Sequence, residues 1–153
     1  MGLDETKIQL KILLELLDKK KKILEQIYTI TENQYVIVNT DENDMDFFDG
    51  MVKEKHSLIE KVNEIDKHFL NIYNKISSII KQNPTIYKDI IKDLQDEIRD
   101  ISKIDTKIKI QEEKNRQELL INMNSKSKKQ GLLKNRKQVI ESYKKYSTKK
   151  EKP

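Results

Sequence analysis

An all-α fold, an elongated antiparallel three-helix bundle with a basic C-terminal tail, is what this sequence predicts, on three observations. Apolar residues return in alternating steps of three and four over long stretches, the period of one helix face. From Phe48 the series runs Met51, Lys55, Leu58, Val62, Ile65, Phe69, Ile72, Ile76 and Ile79, and only Lys55 is not apolar. Punctuation is scarce, with three Gly and two Pro in 153 residues, so the elements are few and long. Hydrophobic residues make up 35% and charged residues 37%, which leaves a small core and favours a slender, solvated shape.

The stretch 48–79 organises the rest. With Phe48 at heptad position a, the e positions are Val52, Ile59, Asp66, Tyr73 and Ile80, four of them largely apolar. A two-stranded coiled coil needs only a and d, so a stripe widened to e suits a helix with two neighbours. Lys55, the one polar seam residue, is expected where the bundle opens near an acidic loop. Phe69 is expected in the core, where Phe69→Ala would cost about 3–5 kcal/mol.

The first helix is predicted over 4–38, with Asp4 as N-cap and Glu5 in the first turn. Leu10, Leu13, Leu16, Leu17, Ile23, Leu24, Ile27 and Ile30 share its stripe. Lys19-Lys20-Lys21-Lys22 interrupts it. Such a run can bind phosphate or nucleic acid, but four consecutive helical residues point four ways, so a solvated face is the expectation. Tyr35-Val36-Ile37-Val38 is rich in β-branched residues and predicts fraying or extended chain.

Residues 39–44, Asn-Thr-Asp-Glu-Asn-Asp, form the first break and supply caps for a second helix over 44–82. Asp41, Glu42, Asp44, Asp46 and Asp49 suggest calcium, but the alternating ligands, central Gly and twelfth-position Glu of a calcium loop are missing. Asn83-Pro84 breaks the chain again, and a third helix is predicted over 84–123. Its stripe is Tyr87, Ile90, Ile91, Leu94, Ile98, Ile101, Ile104, Ile108, Leu119 and Leu120. It thins where Gln111, Glu112 and Asn115 take inward positions. Helices of this length reach roughly 50 Å.

Residues 1–123 therefore form the bundle, and 124–153 a flexible basic tail with a short helix over about 131–146. The tail holds eleven Lys and Arg against Glu141 and Glu151, a charge of +9, and the remainder carries −4. Leu132, Leu133, Val139, Ile140, Tyr143 and Tyr146 are set among those lysines, an amphipathic pattern suited to a partner helix.

No catalytic constellation appears, so an enzyme is not expected. Cysteine is absent, the three glycines are isolated, and His56 and His68 stand twelve residues apart at surface positions b and g. No cofactor or metal is expected. No apolar run approaches the ~20 residues of a membrane span, and the acidic N-terminus is unlike a signal peptide, so a cytoplasmic protein is expected.

The sequence Asp46-Phe47-Phe48, Lys53-Glu54-Lys55 and Leu58-Ile59-Glu60-Lys61-Val62-Asn63-Glu64-Ile65-Asp66, after an Asp-rich break, resembles the FlgN/FliT class of flagellar export chaperones. Glu112 to Leu120, Glu-Glu-Lys-Asn-Arg-Gln-Glu-Leu-Leu, resembles an element of that family's third helix, and the similarity extends from about Leu10 to Tyr146. The resemblance implies a cytosolic chaperone of type III export. Its partners would be the helical terminus of a hook–filament junction (hook-associated) or filament-cap protein, and a component of the export gate. Client or gate contacts would then fall on Asn115, Leu119, Leu120, Met123, Leu132, Leu133, Val139, Ile140, Tyr143 and Tyr146. The four-lysine run and the strongly basic tail depart from the family pattern. Two other readings use the same residues: nucleic-acid binding through the basic tail, which is not part of the main reading, and a self-associating coiled-coil protein.

Overall fold

Three α-helices of 38 residues each carry the fold: α1 (Leu3–Thr40), α2 (Met45–Gln82) and α3 (Lys88–Ser125). The computed structural model describes residues 2–40, 45–125 and 140, without the side chains of 40 and 123–125, and contains no strand among them. The fold is an all-α three-helix bundle, as the apolar period predicts.

The ends differ from expectation for local reasons. α1 begins at Leu3, one residue before the predicted start, because the Gly2 carbonyl accepts hydrogen bonds from Thr6 N at 3.0 Å and Thr6 Oγ1 at 2.9 Å. Residues 35–38 are helical, not extended. Packing overrides a weak β-branched preference here. Gln34 and Val38 are buried, and Asn122 Nδ2 donates to the Val38 carbonyl at 2.8 Å. Asn83 closes α2, its backbone N donating to Ile80 O and its Nδ2 to Ile79 O at 2.9 Å. Pro84 opens a turn over 84–87 instead of the helix itself, so α3 starts at Lys88, four residues later than predicted.

The chain groups into two compact units, and the division cuts across all three helices. Unit 1 takes Met1–Glu25 and Glu60–Asp105. Its core is Leu10, Leu13, Leu16, Leu17 and Leu24 from α1, Val62, Ile72 and Ile76 from α2, Tyr87 from the turn before α3, and Leu94 and Ile101 from α3. The Tyr87 hydroxyl donates to Leu3 O at 3.4 Å. Here the buried α2 face follows a and d; the e residues Asp66 and Tyr73 are exposed. Asp66 pairs with Lys20 at 2.7 Å. Phe69, expected in the core, is only half-buried and stacks on Tyr73, with ring centroids 6.4 Å apart. Ile98, assigned to the inner stripe, is exposed.

Unit 2 takes Gln26–Ile59 and Thr106–Pro153. Its apolar core includes Ile27 and Val38, Met45, Phe48, Val52 and Ile59, then Ile108 and Leu119. On this part of α2 the e residues Val52 and Ile59 are buried and the d residues Met51 and Leu58 half-buried, so the widened stripe is used. Gly50 lies on the exposed side of α2 with ordinary negative φ.

Candidate partner surfaces and a buried polar cluster

In unit 2 the 3–4 period continues through residues that are polar. On α1, after Leu24 and Ile27, the next two steps are Thr31 and Gln34, both fully buried. On α2 the step after Phe48 and Val52 is Lys55, and on α3 the steps after Ile108 are Glu112 and Asn115. These five side chains meet. Lys55 Nζ donates to Gln34 Oε1 at 2.8 Å and to Thr31 Oγ1 at 3.2 Å, and pairs with Glu112 Oε1 at 3.6 Å. Asn115 Nδ2 donates to Thr31 O at 2.7 Å, and Gln111 Nε2 donates to Asn115 Oδ1 at 3.0 Å. Thr31 Oγ1 in turn donates to Ile27 O at 2.7 Å.

Lys55 is thus sealed in the interior at 0% exposure, not placed at an opening. A buried ammonium needs a counter-charge and oxygen acceptors, and the polar residues that thin the α3 stripe supply them. Gln34 Nε2 and Glu112 Oε1 are buried without a hydrogen-bond partner among the described residues; the Glu112 oxygen lies within ion-pair reach of Lys55 but beyond good hydrogen-bond distance.

This placement corrects part of the predicted contact set. Asn115 and Leu119 are both 0% exposed, Asn115 lying one heptad after Ile108 and bonded to α1 through Thr31 O, and neither can touch a client while the bundle is closed. Ile140 is helical and buried, which removes it from a free binding face. Leu120 keeps an exposed side chain at 37%, and its neighbour Ile121, which the sequence did not single out, is more exposed at 56%. Met123 lies in the last turn of α3, and its side chain is outside the described residues. Leu132, Leu133, Val139, Tyr143 and Tyr146 also lie outside the described residues. Thr31, Gln34 and Asn122 are the structural residues that sequence reasoning missed. The spacing Leu24-Ile27-Thr31-Gln34-Val38 carried the signal, hidden by the polarity of two members.

Among the described residues, grooves lie within each unit. In unit 2 a shallow one of about 350 Å³ is lined by Tyr35 of α1 and by Gln111, Lys114, Gln117 and Glu118 of α3. Beside it Arg116 and Glu113 form a pair along α3 that lowers the Glu113 carboxyl pKa and raises that of the guanidinium, mainly through their hydrogen bond. In unit 1 a groove of about 520 Å³ separates α1 from α2. Buried Leu16 and half-buried Ile23 and Ile65 form its floor, and exposed Lys19, Lys22, Lys61, Glu64 and His68 its rim.

The lysine run is largely a surface device. Lys20 bridges to Asp66, and Lys21 lies 3.4 Å from Asp100 and 3.8 Å from Glu97. Glu97 is the main cause of a raised Lys21 pKa. Lys22 pairs with Asp18 one turn back. His56 is half-buried, against the expected surface position, while His68 is exposed. Among the described residues no group of three or more His, Cys, Asp or Glu is placed to hold a metal ion, and no helix is long and apolar enough to cross a membrane. Asp46 and Asp49 lie on α2, with Asp49 paired to Lys53; Asp41, Glu42 and Asp44 are outside the described residues.

Comparison with protein-family models, with curated proteins and with solved structures finds no match.

Proposed function

We propose that this chain is a non-enzymatic binding protein that holds an amphipathic helical segment of another protein. More specifically, it is a cytoplasmic flagellar export chaperone that keeps a hook-associated or filament-cap subunit from assembling and delivers it to the export gate. The observation that carries the binding reading is the distal end of α3. Leu120 and Ile121 leave apolar surface exposed there, immediately before a tail with its own amphipathic pattern. Helix-in-groove recognition uses apolar anchors of this kind. The flagellar assignment rests on the sequence resemblance alone. The buried positions of Asn115, Leu119 and Ile140 shift the proposed contacts to Leu120, Ile121, Met123 and the tail residues Leu132, Leu133, Val139, Tyr143 and Tyr146.

The test is a pull-down and a calorimetric titration with terminal helical segments of hook–filament junction and cap subunits encoded in the same genome. The full chain should bind one of them at about micromolar Kd or tighter. The chain cut after Asn124 should remain helical and lose that affinity. Affinity kept after the cut would move the site into the bundle, and binding of none of these segments by the full chain would remove the flagellar reading.

A further inference from the structure

The lysine run splits into two pairs with different surroundings. Lys20 and Lys21 reach across to acids of α2 and α3 and are used in holding unit 1 together. Lys19 and Lys22, three residues apart and so on one face of α1, flank the groove between α1 and α2. Lys61 stands on the α2 side. Neither Lys19 nor Lys61 forms an ion pair among the described residues, and Lys22 is shared only with exposed Asp18. Below these ammonium groups lies an apolar floor: Leu16 and Ile23 are seven residues apart on α1, and Ile65 faces them from α2. Each wall is therefore one heptad long, about 10 Å, the span of two helical turns.

We propose that this groove docks an acidic amphipathic helix of a partner protein. The partner would place two apolar side chains at i and i+4 on Leu16, Ile23 and Ile65, with Asp or Glu on both flanks against Lys19, Lys22 and Lys61. Charge selects this occupant. Three lysines against one rim acid, Glu64, favour an anionic partner. The same count disfavours the chain's own tail, which carries eleven basic residues against two acids. A bare polyanion would leave the apolar floor unused. The site uses residues of unit 1, none of them among those invoked above for the client, so it stands whether or not those bind one.

The test is fluorescence anisotropy with the full chain and three labelled peptides of about 18 residues. One is an amphipathic helix with Glu flanks, the second its Lys-flanked inverse, and the third an acidic scramble of equal charge without an apolar stripe. The Glu-flanked helix should bind best and weaken as salt rises. The double variant Lys19→Glu/Lys61→Glu should bind it about tenfold more weakly, with unchanged helical circular dichroism. Because that variant keeps the basic tail intact, its loss of binding separates the groove from adsorption to the tail. A second variant, Ile65→Ser, should also weaken binding without changing the salt slope. Equal binding of the scramble, equal binding by the double variant, or stronger displacement by duplex DNA than by unlabelled peptide would each overturn the proposal. So would a salt-independent dimer of the chain alone that occludes the peptide.

Discussion

Lys55 occupies a heptad position that its neighbours Phe48 and Val62 fill with apolar bulk, and the chain answers with Thr31, Gln34 and Glu112. Removing one member of a buried charge pair strands the other in a medium that solvates it poorly. Glu112→Ala should therefore cost about 3–5 kcal/mol in urea unfolding. Replacing both charges, as Lys55→Met/Glu112→Leu, should restore most of that loss, since a buried pair often does no better than well-packed hydrocarbon. If the double variant is as unstable as Glu112→Ala, the hydrogen bonds to Thr31 and Gln34 are the stabilising part of the cluster, and not the ion pair.

At the scale of the element, α2 shows what a period can and cannot say. Its existence, its face and its C-terminal stop at Gln82 were legible, because apolar spacing and an Asn-Pro break act locally. The exposure of Phe69 was not, since the period marks a face about three residues wide and only the neighbours decide which edge is covered. Ile76 is fully buried where Phe69 is half-buried, so Ile76→Ala should lower the thermal midpoint more than Phe69→Ala despite removing fewer atoms. Gly50 offers the opposite effect. It sits inside α2, an added Cβ would meet nothing within 4 Å, and its φ is already helical. Gly50→Ala should stabilise by about 0.5–1 kcal/mol, by helix propensity and by reduced freedom of the unfolded chain. A destabilised variant would show that backbone freedom at Gly50 is needed. The binding residues were the least legible. Asn115 and Leu119 read as interaction residues from a motif, but burial depends on which face α3 turns to α1, and a motif carries no such information.

For the molecule as a whole, the polar cluster is expected to bear on specificity more than on stability. A polar group at an inner heptad position fixes register and partner number, because mismatched alignments leave it unpaired. An all-apolar seam, Lys55→Met/Glu112→Leu/Asn115→Leu, should stay helical and gain heat resistance. In sedimentation it should give mixed oligomers or a shifted association state relative to the parent chain. An unchanged sedimentation profile would mean that the apolar residues alone define the assembly.

Two hydrogen bonds between α1 and α3, Asn115 to Thr31 and Asn122 to Val38, and a third from Tyr87 in the turn before α3 to Leu3 share one sequence separation of 84 residues. It constrains how the gene can change in length. A single codon gained or lost inside α1 between Leu3 and Val38, or inside α3 before Asn122, would rotate one seam away from the other, unless a compensating change lies nearby. The lengths open to descendants of this chain are therefore stepped. Helices grow or shrink by sevens and in concert, while the connections between one helix and the next are where single-residue drift can accumulate.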